Sequence, residues 1–270
     1  VGVACTILIF LWVWDETTID SFHTNYNHLG RLITHNTYSD KTTTIGHAPL
    51  PLYEYLKIYD PRIKNTCVSH ESSKMVLSTG EKKVWAEVKF VSPEFLSMLN
   101  FPLLQGSART ALKDPSGVVI RETLARTLFG DQVALGQLIQ INNKDQFKVT
   151  GVVKEWPENS SFDFGALLPW TNFFSPEEIR QVSENWKIEP VQIFVEWQED
   201  SDLRDLNASL TRLLNEKREQ GKQSALEILP MKDWHLRARY VNGKQTGGRV
   251  EYVNAFSIIG VGILLIACIN

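Results

Sequence analysis

Two uncharged apolar runs occupy opposite ends of the chain. Residues 1–14 have the sequence VGVACTILIFLWVW, and residues 256–270 have the sequence FSIIGVGILLIACIN. At about 1.5 Å of rise per residue, each run spans roughly 20 Å of a hydrocarbon core about 30 Å thick. Because each run continues to a terminus, we expect the truncated end of one transmembrane helix and the start of the next. The alternatives are a buried core helix or a signal peptide, but neither run has a polar face and the first lacks a basic start.

The segment after the first run predicts a helix that continues beyond the membrane. Its apolar residues are spaced three and four positions apart, as in a helix packed against another helix. We therefore predict that residues 1–28 form the end of a transmembrane helix and a stalk. The proposed coupling residues of the stalk are Ile19, Phe22, Tyr26 and Leu29. A separate amphipathic helix after a break is the alternative.

The pattern between the two runs predicts two strand–helix–strand halves. The first half has a strand over residues 31–38, a helix over 49–58 and a strand over 64–69. The second half has a strand over residues 191–197, a helix over 202–219 and a strand over 226–229. Two such halves pair into a four-stranded sheet with helices on one face, the split βαβ arrangement.

The middle of the chain is richer in strands. Alternating apolar positions predict strands over residues 74–79, 82–91, 118–120, 137–141 and 146–153, with one helix after Ser92-Pro93 and another over 121–129. We therefore predict an α+β fold. Its α/β subdomain comprises residues 29–73 and 170–236, and residues 74–169 form a β-rich insertion. A threonine-rich loop is expected at residues 42–44.

The remaining C-terminal residues connect this fold to the second apolar run. Residues 237–252 are polar and glycine-rich, and they predict a mobile linker. Residues 253–270 then begin the second membrane helix. The linker carries Arg237, Arg239, Lys244 and Arg249, which suit either a solvated segment or contact with lipid head groups.

Charge and cysteine content narrow the function classes. The net charge is -3, whereas nucleic-acid binding requires a concentrated basic surface. The charge therefore argues against a nucleic-acid-binding protein. Cys67 is the one cysteine outside the apolar ends, so no disulfide framework can form in the loop. Asp15, Glu16 and Asp20 follow the first apolar run, and no Lys or Arg occurs before Arg31. The positive-inside rule therefore places this flank outside the cytoplasm.

The sequence carries no recognisable catalytic motif. The chain lacks a Walker A sequence and a Gly-x-Ser-x-Gly elbow. The six histidines are scattered, and none has the spacing of a helical metal pair. The acidic pair Asp15 and Glu16 suits an interface flank, and the pair Glu177 and Glu178 suits a helix start. We therefore predict no catalytic, cofactor-binding or metal-binding residues.

Four stretches in order carry a resemblance to a known family. They are residues 10–25 (FLWVWDETTIDSFHTN), 101–131 (FPLLQGSARTALKDPSGVVIRETLARTLFGD), 135–164 (LGQLIQINNKDQFKVTGVVKEWPENSSFDF) and 256–270. Together they resemble MacB-like, FtsX-type permease subunits of bacterial ABC transporters, especially those of Bacteroidetes. The resemblance covers nearly the whole chain.

The resemblance implies a fold and a function. It implies a Porter-like α/β part with an inserted Sabre-like β-rich part, in the periplasm next to the bacterial inner membrane. It implies a separate ABC ATPase subunit, a second permease copy, a periplasmic adaptor or cargo protein and membrane lipid as partners. Stalk helices would couple ATP hydrolysis to export or other periplasmic work. An extracytoplasmic sensor domain of a two-helix receptor is the alternative, and a membrane-anchored hydrolase is a third.

Overall fold

The computed structural model describes residues 1–218 and 223–269, and the following elements lie in that part of the chain. The helices are α1 (Gly2–Thr17), α2 (Leu50–Tyr59), α3 (Phe95–Met98), α4 (Glu122–Phe129), α5 (Pro176–Glu184), α6 (Leu203–Lys217), α7 (Met231–Trp234) and α8 (Val250–Ile269). The strands are β1 (Leu29–Tyr38), β2 (Lys41–Ile45), β3 (Ile63–Ser69), β4 (Ser73–Thr79), β5 (Lys82–Val91), β6 (Leu103–Gly106), β7 (Gly117–Arg121), β8 (Leu138–Ile141), β9 (Asp145–Val153), β10 (Ala166–Pro169), β11 (Gln192–Trp197), β12 (Gln223–Pro230), β13 (Arg239–Val241) and β14 (Lys244–Gly247).

Strands from the two ends of the fold form one antiparallel sheet. The order is β3, β11, β1, β12, and α2 and α6 pack on one face. This is the split βαβ arrangement, so the predicted α+β fold class is confirmed. The expectation of a loop at residues 42–44 was wrong. Those threonines lie in β2, which pairs with the end of β1, and their β-branched side chains favour a strand.

The middle of the chain forms a closed ring of strand pairings. β4 pairs with β5 and β8, β9 pairs with β8 and β7, and β10 links β7 back to β5. One apolar cluster fills this ring, and Leu124 and Leu128 of α4 complete it. A single pairing between Ser69 and Val91 joins the ring to the split sheet. The predicted subdomain boundaries on either side of the ring stay predictions.

The α6 helix shows how sequence pattern produces this packing. Asp202 caps the helix by accepting a hydrogen bond from the Arg204 amide at 2.7 Å. Leu206, Leu210 and Leu214 are buried one turn apart and lie in the cluster under α2 and α6. The predicted end of this helix at residue 219 lies outside the described residues.

The opposite face of the split sheet is covered without a long helix. The aromatic cluster, as we call it, packs there against Leu29, Ile33 and Leu229 of the sheet. Its rings come from α3 and the loop after it, the loop before β10, β11 and α7. They are Phe95, Phe101, Trp156, Phe162, Phe164, Phe194 and Trp234.

The two terminal helices pack against each other. Trp12 and Phe256 meet with ring centroids 5.0 Å apart, and a Cβ at Gly260 would lie 3.1 Å from the Ile9 side chain. Small residues allow this close approach between apolar helices. Within the described residues, α8 is the helix that is long and apolar enough to cross a membrane. The α1 helix has 16 residues, about 24 Å in length.

The predicted stalk helix was wrong. The α1 helix ends at Thr17, and the chain then turns into β1 through a short 3₁₀ turn at Tyr26–His28. Asp20 has a φ of 61°, a left-handed conformation that interrupts a right-handed helix. The spacing of the stalk residues therefore reflects packing of an irregular segment on the aromatic cluster, where Phe22 and Tyr26 lie.

The predicted linker at residues 237–252 also has defined structure. β13 and β14 pair as a hairpin, and α8 begins at Val250 rather than at residue 253. The hairpin is attached to the split sheet, because the Thr42 amide donates to Asn242 Oδ1 at 2.7 Å and the Tyr240 hydroxyl donates to Glu227 at 3.1 Å. Polar contacts between residues far apart in the sequence produce no hydrophobic periodicity, so the sequence pattern could not predict this hairpin.

Candidate functional site at the membrane junction

One carboxylate joins both terminal helices to the folded domain. Glu16 lies in the last turn of α1 and is 9 % exposed. Its Oε2 lies 2.5 Å from Nε2 of His235, the residue after α7. Its Oε1 accepts a hydrogen bond at 3.2 Å from Arg249, the residue before α8. We call Glu16, His235 and Arg249 the junction cluster, and it ties α1, α7 and α8 together at one point.

The segment that follows α1 is attached to the β-rich insertion. We call residues 18–25 the connector. Asp20 is 1 % exposed, and its carboxylate accepts hydrogen bonds from the Ser161 amide at 2.7 Å and from the hydroxyls of Ser160 and Ser161. The Asp20 amide donates to the Asn159 carbonyl, and Asn159 Nδ2 donates to the Thr18 carbonyl. These bonds offset the cost of the left-handed backbone at Asp20.

Two further connector side chains reach other parts of the domain. His23 is buried, and its Nδ1 donates to the Leu99 carbonyl at 2.6 Å. Burial lowers the pKa of His23, and the Leu99 carbonyl and the Asp20 charge offset this only in part. Asn25 donates to Glu196 of β11 at 2.9 Å. The connector is therefore held by the insertion and by the split sheet at the same time.

Two of the four predicted coupling residues, Ile19 and Phe22, lie in the connector, and Tyr26 and Leu29 follow it. Ile19 is half-buried next to Asp20, and Phe22 and Tyr26 pack against the aromatic cluster. Leu29 is fully buried as the first residue of β1. The structure thus brings Phe22, Tyr26 and Leu29 to one apolar cluster, although not on a helix.

Sequence reasoning missed the polar half of this site. It assigned Glu16 to an interface flank and Arg249 to a solvated or lipid-facing segment, and it gave no role to His235. The contacts of Asp20 join positions about 140 residues apart, and no local spacing signals such a pair. The one available hint is that Asp15, Glu16 and Asp20 form an acidic run directly after an apolar helix.

The arrangement connects structural elements mechanically and does not resemble a catalytic or metal-binding site. Among the described residues, no group of three or more His, Cys, Asp or Glu side chains could hold a metal ion. Glu16 is buried, His235 is half-buried and Arg249 is exposed, and the hydrogen bonds between them connect three separate elements of the chain.

Comparison with known proteins identifies the family. A family model described as the MacB-like periplasmic core domain matches residues 1–213, well over half of the chain. The chain belongs to this family. The comparison with curated proteins found no match.

Solved structures agree with the MacB-like fold. A domain of a putative permease protein from Porphyromonas gingivalis has a TM-score of 0.66 at 19 % identity, covering 77 % of this chain and 91 % of that one. The periplasmic region of MacB from Actinobacillus actinomycetemcomitans has a TM-score of 0.53 at 18 % identity, covering 75 % and 89 %. The extracellular domain of the noncanonic ABC-type transporter YknZ from Gram-positive bacteria has a TM-score of 0.52 at 14 % identity, covering 74 % and 99 %.

These matches establish what kind of domain this is. It is a MacB-like periplasmic domain of the ABC transporter permease family, with α8 as a candidate membrane helix. Domains of this family are parts of permeases and are not themselves catalytic.

Proposed function

We propose that this domain couples ATP hydrolysis by a separate ABC ATPase to export or other work in the periplasm. The observation that supports this most directly is the junction cluster, in which Glu16 contacts residues adjoining both α7 and α8. A shift of α1 relative to α8 must either move the domain with it or break these charge-assisted hydrogen bonds.

The connector carries the motion onward in this proposal. Its left-handed residue, Asp20, is bonded to the loop at residues 159–161, and Asn25 is bonded to β11. Displacement of α1 would therefore change the angle between the insertion and the split sheet. Phe22 and Tyr26 supply the apolar contact between this part of the chain and the aromatic cluster. The coupling element in this proposal is therefore a short connector held at several points, in place of the rigid helical stalk that the sequence predicted.

The partners follow from the same proposal. The domain would act with an ABC ATPase subunit and a second permease copy in the bacterial inner membrane, and a periplasmic adaptor or cargo protein would contact its outer surface. Membrane lipid surrounds α1 and α8. The family membership supports this assembly, because transporters of this class work through paired permeases and ATPases.

The test uses the intact permease with its ATPase in lipid nanodiscs. Hydrogen exchange of the peptide covering residues 156–164 is measured with and without ATP and vanadate. In the wild type we expect an ATP-dependent change in exchange. Glu16→Gln weakens the ion pairs, so the change should fall several-fold, since about 1 kcal/mol of coupling free energy corresponds to a factor of about five. ATPase activity should persist.

The matched control is Asp15→Asn. Asp15 is the exposed neighbour of Glu16 and has no ion pair with a described residue. This variant should behave as the wild type. An undiminished ATP-dependent change in Glu16→Gln, with normal expression and ATPase activity, would show that the junction cluster does not transmit the motion.

A further inference from the structure

A pocket lies between the split sheet and the hairpin that leads to α8. Its volume is about 420 Å³. One wall is β2, with Thr42 and Thr44, and the other is β13, with Tyr240. Half-buried Arg31 of β1 and exposed Lys41 of β2 also line it. The pocket is distinct from the junction cluster, none of whose residues line it.

Arg31 is a half-buried cation that has no carboxylate partner among the described residues. Its Nε is buried and has no hydrogen-bond partner among the described residues. Its guanidinium carbon lies 5.8 Å from the ring centroid of Trp234, a cation–π contact. Burial lowers the pKa of the Arg31 guanidinium, and the neighbouring Tyr240 offsets this only in part. An unpaired buried charge costs free energy unless a counter-ion binds.

The acidic side chain that accepts from Tyr240 does not fill this role. The two carboxylate oxygens of Glu227 accept from Tyr240 and contact His35 Nε2, at 3.1 and 3.0 Å. Glu227 is not among the residues that line the pocket. The described lining therefore contains two cations and no acid, in a chain whose net charge is -3.

The rest of the lining combines polar and apolar groups. Ile33, Leu229 and Ile45 form an apolar floor beside Arg31. The β2 threonines and Tyr240 add polar groups to the lining. A ligand that fits such a lining carries an anionic group next to an apolar part, because each part then finds its complement.

The position of the pocket favours a ligand near the membrane. The hairpin tip is tight against β2, since a Cβ at Gly243 would lie 2.7 Å from the Thr42 side chain. The base of the hairpin is joined to the first turn of α8, where Arg239 bonds to Glu251 at 2.6 Å. With a strand rise of about 3.3 Å per residue, the pocket lies within roughly 15 Å of the start of α8.

We propose that this pocket binds a phosphate or carboxylate group attached to an apolar moiety, with Arg31 as its principal counter-ion and Lys41 as a second contact. Arginine suits this role because its planar guanidinium can bind two oxygens at once. The proposal does not depend on the coupling function. The anionic group has two sources, a membrane phospholipid head group or a soluble phosphate or carboxylate.

The test titrates the full chain, in nanodiscs of phosphatidylcholine, with short-chain phosphatidylglycerol and separately with inorganic phosphate. Tryptophan fluorescence reports binding, because Trp234 contacts Arg31. We expect saturable binding. Arg31→Met should weaken it by about tenfold or more, since hydrogen bonds to a charged group contribute about 1.5–3 kcal/mol and 1.4 kcal/mol is tenfold. Lys41→Met should weaken it several-fold.

Two comparisons make the outcome decisive. Lys244 lies exposed in the same hairpin but outside the pocket, so Lys244→Met should bind as the wild type. Equal loss in Lys244→Met and Lys41→Met would show general surface attraction and overturn the proposal, as would wild-type affinity in a folded Arg31→Met. If Arg31→Met does not fold, the affinities of Lys41→Met and Lys244→Met are compared. Weaker binding by Lys41→Met alone supports the proposal. Saturation by phosphate alone supports a soluble ligand, and saturation by phosphatidylglycerol alone supports a lipid.

Discussion

The two faces of the split sheet are stabilised in different ways. On one face, α2 and α6 cover the strands with leucines one helical turn apart. On the other, irregular segments carry the aromatic cluster, and the connector is held over it by polar contacts of Asp20 and His23. The first face depends on non-directional apolar burial, whereas the second depends on directional hydrogen bonds between distant residues.

In the proposed function, one face of the sheet therefore stabilises the fold and the other transmits motion. Apolar packing under a helix tolerates small shifts of geometry and has no dependence on pH. Hydrogen bonds to a buried carboxylate are lost over a fraction of an ångström, so the connector can switch between discrete arrangements. A fold that must respond to membrane helices benefits from having its rigid half and its responsive half on opposite faces of one sheet.

The largest expected effect is on the helix-covered face. Leu210→Ala removes a side chain that is 1 % exposed between α6 and the sheet. We expect the free energy of unfolding to fall by about 2–5 kcal/mol, from lost burial and the cavity left behind. Guanidinium unfolding of the chain in mild detergent measures this. Arg212→Ala, on the exposed side of α6, should change stability by less than about 0.5 kcal/mol. Similar values for both variants would contradict the packing argument.

A smaller effect is expected at the connector. Asp20→Ala loses three accepted hydrogen bonds and places alanine at a φ of 61°, so unfolding should become easier by about 2 kcal/mol. Asp20→Asn keeps an acceptor oxygen and tolerates this φ, so its loss should be about half as large. The same unfolding measurement applies. Faster hydrogen exchange at residues 159–161 in Asp20→Ala should accompany the loss, and unchanged exchange there would show that Asp20 does not hold this loop.

The smallest effect is a pH dependence. The pKa of His23 is lowered in the folded state, so below about pH 6.5 the unfolded chain binds a proton that the folded chain does not. Stability is therefore full above pH 6.5 and falls as the pH decreases toward the folded pKa, by at most about 1.4 kcal/mol per pH unit. His23→Asn retains a donor for Leu99 and should flatten part of this slope. His70, whose pKa burial also lowers, accounts for a further part, so His70→Asn is the comparison. An unchanged slope in His23→Asn would exclude His23 as its source.

The sequence predicted the helix-covered half well because its signals are local. The α6 helix and its cap follow from a leucine repeat and Asp202, and α5 begins at the capping box of Ser175 and Glu178. The order of strands and helices was enough to derive the split βαβ sheet. The same local logic failed for the stalk, because irregular backbone packed on an apolar cluster can show helical spacing by coincidence.

The sequence alone therefore determined the two apolar ends, the α+β class and the absence of a recognisable catalytic motif. Only the tertiary structure decided how the ends are joined to the domain. The left-handed turn at Asp20, the junction cluster around Glu16 and the unpaired cation at Arg31 each depend on groups brought together across more than 130 residues of chain. Hydrophobic periodicity records which residues are buried. It does not record which polar group a buried charge will meet, because that depends on how the whole chain packs.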